Sequence, residues 1–352
     1  MKKIYTYLLA IGILTGTLIT TTDLMAGNKD RSGQAGAPEL LINPWARSSG
    51  WGSANTSCIH GLEAMFSNVA GIAFTHKTEL IFSRTDWLKG SGININTFGL
   101  SQRIGETSVI ALAVMSMSFG DIDITTEDLP EGGIGNFSPN MMNINLSYAK
   151  AFSNSIYGGV NIKIISESIS DNSAQGVAID AGIQYVTGKK ENIHFGVSMK
   201  NVGTRLKFTG DGLSLRHLIP GTANYITASQ RSAEFELPSL INIGAAYDFH
   251  FSDIHSLTAA GNFTSNSFTK DLFSFGLDYG FKSYLHLRVG YTYEDGLLDE
   301  IERTNVFTGP SAGFSVDIPL NKEKGTIFSL DYSYRATNPF DGTHSIGVKV
   351  SI

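Results

Sequence analysis

From about residue 78 to the end of the chain, apolar and polar residues alternate in segments of roughly ten, the period of a strand whose two faces meet different surroundings. In residues 345–352, Ile346, Val348, Val350 and Ile352 share one face, while Ser345, Gly347, Lys349 and Ser351 share the other. Leu285, Leu287, Val289, Tyr291 and Tyr293 oppose His286, Arg288, Gly290 and Thr292 in the same way, and Phe273, Phe275, Leu277, Tyr279 and Phe281 oppose Ser274, Gly276, Asp278 and Gly280. A helical period is absent throughout this stretch. The pattern predicts about fourteen strands, at 78–88, 91–102, 105–119, 141–152, 155–168, 174–187, 192–201, 239–251, 254–265, 271–281, 284–293, 311–319, 326–335 and 343–352. Residues 93–100 change phase midway, which predicts a bulge. Residues 109–117 are apolar on both faces.

Alternation also suits a soluble half-buried sheet, so the connections decide. Those after even-numbered strands are short, as at 103–104, 153–154, 188–191, 252–253, 282–283 and 321–325. Every long connection follows an odd-numbered strand: 120–140, 202–238, 294–310 and 336–342. Short turns on one rim and long loops on the other, with an even strand number, predict an all-β fold, a transmembrane antiparallel β-barrel of the outer-membrane type with both chain ends on the short-turn side. Tyr279, Phe281, Tyr291, Tyr293, Tyr332 and Tyr334 are candidates for aromatic girdles.

Composition agrees with a barrel. Only 16% of the 352 residues are charged, against about a quarter in soluble domains. Gly (38), Phe (21) and Tyr (13) are plentiful and Pro (9) is scarce. A net charge of -6 without a basic stripe excludes nucleic acid as a partner. One cysteine, Cys58, excludes an intramolecular disulfide framework and reads as a small buried residue rather than a nucleophile. Residues 1–26, with Lys2 and Lys3 before an apolar run and Ala26 at the end, read as a secretory signal peptide. The domain plan is therefore 1–26 signal peptide, 27–77 N-terminal plug or hatch segment, and 78–352 barrel.

Asp180, Asp248, Asp278, Asp317, Asp331, Arg288, Arg335, Lys163, Lys349, His194, His250 and His286 fall on the face opposite the apolar one, which in a membrane barrel is the lumen. Mutual pairing of opposite charges is the simplest account of them. The 27–77 segment is too long for a simple leader. Its small residues, a short helix candidate at 61–66 and the lone Arg47 amid apolar neighbours fit a segment inserted into the lumen.

The run Ala46-Arg47-Ser48-Ser49-Gly50-Trp51-Gly52-Ser53-Ala54, followed by Asn68-Val69-Ala70-Gly71-Ile72-Ala73, resembles the opening and plug motifs of the PorV/PorQ outer-membrane proteins, relatives of the FadL transporters. Asn201-Val202-Gly203, Gly244-Ala245-Ala246-Tyr247 and Arg288-Val289-Gly290-Tyr291 continue the likeness in order, while Val69 replaces the proline usual in the plug motif. The resemblance implies a FadL-like barrel of the type IX secretion system in the cell outer membrane, with Ala46, Arg47, Gly50, Gly52, Asn68, Ala70 and Gly71 as plug-motif residues. It also implies as partners the secretion translocon barrel and either cargo carrying a C-terminal signal domain or a surface attachment-complex subunit, besides outer-membrane lipid.

Chemistry is hard to find. The eight histidines lack metal-ligand spacing, and Ser214 and His217 have no supporting acid. Neither a catalytic set, a metal nor a cofactor is expected. The 202–238 loop is apolar for a surface segment and offers Leu213, Leu215, Leu218, Ile219, Tyr225 and Ile226 as a candidate partner-binding surface, or as a lid over its own barrel. Two functions compete: an interaction protein of a secretion machine, and a FadL-like channel for uptake of hydrophobic small molecules.

Overall fold

The computed structural model describes residues 27–352 apart from 253, 283, 300 and 322–324. The signal-peptide expectation for 1–26 lies outside the described residues.

Fourteen long strands form one closed antiparallel sheet. They are β1 (Thr78–Trp87), β2 (Ile93–Ile104), β3 (Ser108–Ser118), β4 (Asn140–Ala151), β5 (Ile156–Ile169), β6 (Asn172–Thr187), β7 (Ile193–Gly203), β8 (Leu240–Ser252), β9 (His255–Asn266), β10 (Leu272–Phe281), β11 (Leu285–Glu294), β12 (Phe307–Asn321), β13 (Thr326–Thr337) and β14 (Thr343–Ser351). Each pairs with its sequence neighbours, and β1 closes on β14 in a register running from Glu79↔Ser351 to Asp86↔His344. Closure leaves no sheet edge, so the backbone can sit in hydrocarbon without unpaired groups. The alternation sets which face is which. Outward positions such as Phe82, Leu146, Ile183, Ile243, Phe275 and Ile346 are exposed, while the intervening Ser83, Asn145, Gln184, Asn242, Ser274 and Ser345 are buried.

The bulge expected within residues 93–100 is absent. Phe98 pairs with Phe82 and Val114 in an unbroken register, with Ile95, Thr97 and Gly99 inward. The phase change came from composition: Asn94 and Asn96 face outward near the long-loop rim, and Ile95 faces an apolar patch of the lumen. Register shifts occur instead in β6–β7 between Ile179 and Ala181, in β8–β9 between His250 and Ser252, and in β12–β13. β3 is apolar on both faces because its inward Val109, Ala111, Ala113, Met115 and Met117 pack on the N-terminal segment.

Loop parity holds. The longest connections, 119–139, 204–239 and 295–306, all follow odd-numbered strands. Two of them carry short hairpins, Ile122–Asp123 with Asn136–Phe137 and Ser214–Leu218 with Tyr225–Ser229. The candidate girdle rings all point outward: Tyr279 and Phe281 near the short-turn rim, Tyr291, Tyr293, Tyr332 and Tyr334 toward the long-loop rim.

This topology predicts fractionation with the outer membrane and heat-modifiable electrophoretic migration. Cysteines placed at Gly132, Asn224 and Arg303 should react with an impermeant maleimide on whole cells, and one at Lys190 should not. Labelling at Lys190 on intact cells would invert the barrel.

Candidate functional site: the lumen and the long-loop face

Residues 27–77 pass among the inward faces of the strands from the long-loop end to the short-turn end. At the first, Arg31 Nη2 lies 3.0 Å from Glu236 Oε2, and the Gly36 amide donates to the Glu236 carbonyl at 3.0 Å. The hydrogen bond from Arg31 holds the Glu236 carboxyl below the usual carboxylate range. At the other end Arg103 donates to the carbonyls of Ala73 (3.0 Å), Thr75 (2.9 Å) and His76 (2.7 Å). Between them the chain forms tight 3-10 turns, Pro38–Leu41, Gly61–Phe66 and Val69–Phe74, and one helical turn, α1 (Ala46–Ser49). Trp45, Leu62, Met65 and Ile72 are fully buried and make an apolar cluster with the inward Ile95 and Met115. That burial is the main stabilising term for the segment.

The motif residues owe their identity to close approach. A Cβ on Gly71 would stand 2.1 Å from the Ile59 carbonyl oxygen, and one on Gly50 would stand 3.2 Å from Gly313 Cα in the barrel wall. Gly52 has φ +62°, where a side chain is strained. Asn68 caps the Val69–Phe74 turn by accepting from the Ala70 amide at 3.2 Å, while its Nδ2 donates to the carbonyls of Thr56 (3.1 Å) and Ile183 (3.0 Å). Ala46 and Ala70 are buried.

Arg47 is the charged centre. Its guanidinium reaches Asp317 (2.5 Å), Asp331 (2.8 Å) and Glu63 (3.6 Å), and Lys349 Nζ lies 3.4 Å from Glu63. Burial would lower the Arg47 pKa, but the facing Asp331, Glu63 and Asp317 carboxylates outweigh it and the net direction is upward. Burial raises the Glu63 pKa against the pull of Lys349 and Arg47. Among the other lumen groups, Lys163 pairs with Asp180 (2.7 Å) and Arg288 with Asp278 (2.8 Å), and His194 is hydrogen-bonded to Asp248 (2.8 Å), whereas Arg335 makes no ion pair among the described residues and lies over the Phe307 ring at 3.6 Å. His250 shares the Asp248 face, paired with Ser256 just before the β8 register shift, and is exposed at the short-turn end. Burial pushes the Cys58 thiol up, away from nucleophilic character.

The sequence pattern did not single out Glu39 or Glu63. Glu39 is 1% exposed, neither carboxylate oxygen accepts a hydrogen bond of good geometry among the described residues, and burial, then Glu167, outweighs the opposing Asn143 and Lys163 and pushes its pKa up from 4.5 to about 7. A glutamate inside a run of small and apolar residues was the available signal. Glu39 lines a cavity of about 490 Å³ beneath the long-loop end, together with Ile42, Phe66, Trp87, Met117 and Phe307.

The 204–239 connection divides in two. Its ends pack inward, with Leu206 and Leu237 buried against Ala37, Leu40 and Ile165. Its tip projects: Leu215, Leu218, Tyr225 and Ile226 are 48–57% exposed, while Leu213 at the base of the hairpin and Ile219 in its turn are half-buried. The Ser214–His217 pair lies on that exposed hairpin with no acid beside it among the described residues.

Two consequences are measurable. Between pH 4.5 and about 7 the folded chain keeps a proton on Glu39 that the unfolded chain has released, so stability falls as pH rises through that window. Glu39→Gln should flatten this slope and leave the variant more stable than the parent at pH 8, read by urea unfolding in detergent. Arg47→Leu removes the arginine from Asp317 and Asp331, leaves Glu63 with Lys349 alone, and should destabilise the protein by about 3–5 kcal/mol in the same assay.

No curated protein matches the chain by sequence. Among solved structures, the Pseudomonas putida toluene transporter TodX superposes with a TM-score of 0.55 at 12% identity, covering 88% of this chain and 98% of that one. The Ralstonia pickettii toluene transporter TbuX gives 0.53 at 10% identity, covering 88% and 97%. These show the fold: a FadL-like barrel. The family model that fits the chain, over residues 129–350, is that of the type IX secretion system membrane protein PorP/SprF. Of the motifs resembling PorV/PorQ, those at 46–54 and 68–73 lie before that span, and those at 201–203, 244–247 and 288–291 lie within it. With well over half of its residues inside the model, the chain belongs to the PorP/SprF family of type IX secretion system membrane proteins.

Proposed function

We propose that this protein is an outer-membrane barrel of the type IX secretion system that binds a secreted protein or a surface attachment subunit at its long-loop face, rather than catalysing a reaction. The observation that carries the reading is the Ser214–Leu218/Tyr225–Ser229 hairpin, which stands off the rim with Leu215, Leu218, Tyr225 and Ile226 exposed. Apolar groups held out on an ordered hairpin suit a partner surface, and the hairpin's backbone edges add hydrogen bonds that an extended peptide can complete. Residues 27–77 act in this reading as a plug, with the Arg47 cluster pinning them to β12 and β13. A PorV-like shuttle and a PorQ-like anchor make the same demand on the hairpin and differ in what it holds.

Uptake of hydrophobic small molecules is the second reading, favoured by the apolar cavity of about 490 Å³ under the rim and by the fold shared with the toluene transporters. One deletion separates the two. Removing residues 213–226 should leave a heat-modifiable barrel, because the hairpin contributes nothing to the closed ladder. Cargo with a C-terminal signal domain should then accumulate in the periplasm or on the translocon, with toluene entry unchanged. Normal surface display of all cargo in both the deletion strain and a full knockout would overturn the secretion role.

A further inference from the structure

The outward face of the barrel is apolar along its middle with one exception. Among the described residues, Arg84 is the formal charge that points outward from within a strand rather than from its ends. It stands three residues below the β1 end at Trp87, about 7 Å beneath the rim for a strand rising 3.3 Å per residue at a tilt near 45°. Its neighbours in register are Asn96 and Ile346. A cleft of about 530 Å³ opens beside it on the outer wall of β13, β14 and β1. The floor is apolar, with Phe82, Ile346 and Val348; the upper edge carries Arg84, Asp86, Lys89 and the Tyr332–His344 pair, joined at 2.8 Å.

A guanidinium on the lipid face costs most at the bilayer middle and little near the interface, where it is placed to meet an anionic lipid head. Arg84 donates through Nη2 to Asn94 Oδ1 at 3.1 Å and makes no ion pair among the described residues. Lys89 likewise has no carboxylate within ion-pair distance. Asp86 supplies one negative charge to the cleft against their two positive ones. The cleft therefore presents net positive charge above an apolar slot, at the level where lipid heads meet acyl chains on the long-loop side.

We propose that this cleft holds a phosphate-bearing lipid of the outer leaflet, with the phosphate on Arg84 and Lys89 and an acyl chain along Phe82, Ile346 and Val348. Arg84 suits the role because its planar donor fork can grip two phosphate oxygens while Asn94 fixes its position. The site lies on the lipid side of the wall, separate from the lumen and the hairpin, so it is independent of whether the protein secretes cargo or admits hydrocarbons.

Native mass spectrometry of the full protein, released from phosphatidylcholine nanodiscs containing a minor fraction of lipid A, tests this. The parent should carry one lipid A through delipidation. Arg84→Leu combined with Lys89→Ala should lower retention about tenfold or more, the loss expected when charge-assisted bonds are removed. Arg84→Lys, which keeps the charge and loses the two-pronged fork, should give retention between the parent and the double variant. Ile243→Ala, on the outward face of β8, should change nothing, and heat-modifiable migration confirms that each variant is folded. Equal retention by the double variant overturns the assignment. So does displacement of the lipid by inorganic phosphate alone, which would mark a simple anion site, or occupation of this wall by a second protein chain that excludes lipid.

Discussion

A barrel of fourteen strands encloses more space than its own side chains can fill, and the rest of the structure answers that constraint. About eight strands give an interior that inward side chains just occupy; wider barrels hold water or need an insert. Here residues 27–77 thread the lumen, and the wall is trimmed to receive them. A Cβ on Gly182 would sit 2.1 Å from Asn68 Oδ1, on Gly290 2.3 Å from the Trp51 carbonyl oxygen, and on Gly196 2.7 Å from Ser57 Cα. The glycine content that marks the sequence is in good part an inner surface cut close to a second backbone. The same fit makes the segment rich in small residues and in 3-10 turns, since neither side has volume to spare.

Filling a lumen with protein also removes water from the charges that line it. Asp317, Asp331 and Lys349 alternate properly for a polar interior, yet they would be poorly compensated without the segment that supplies Arg47 and Glu63. The ion cluster is thus shared between wall and insert. Such a cluster adds little net stability over an apolar equivalent, but a shifted insert would break several charge-assisted bonds together, and that gives it value in fixing register. Glu39 illustrates the opposite case: a carboxyl buried without a hydrogen bond of good geometry takes up a proton instead.

Much of this was legible in the sequence because strand periodicity and loop parity are local signals that membrane burial sharpens. All fourteen strands lie close to their expected positions, and the sorting of long and short connections gave the orientation. The expected bulge at 93–100 failed because the face each residue takes follows the register, while its polarity follows what the face meets at that height. Outward asparagines near a rim and an inward isoleucine beside Trp45 look alike to a periodicity rule. Glu39 and Glu63 escaped notice for a related reason: a single acid in a small-residue stretch has no pattern, and its meaning depends on wall residues more than a hundred positions away.

The fold alone does not choose a function. Toluene transporters and this chain share a barrel at 12% identity or less, a level at which the wall is retained while lumen and loops are free to diverge. The difference must lie in what the wall does not determine. In this chain the apolar groups are divided: one set lines a cavity that ends on the threaded segment, and another stands outside the rim on a hairpin with no cover. A channel gains nothing from the second set, since exposed leucines and a tyrosine above the membrane cost hydration without shaping a path inward. A protein that must be met by another protein at the cell surface needs them there, and it needs a barrel beneath that holds the hairpin's base rigid. Leu206 and Leu237, at the two ends of the connection that carries the hairpin, are buried against Ala37 and Leu40 of the threaded segment, so the lumen insert and the root of the outer loop share one apolar contact.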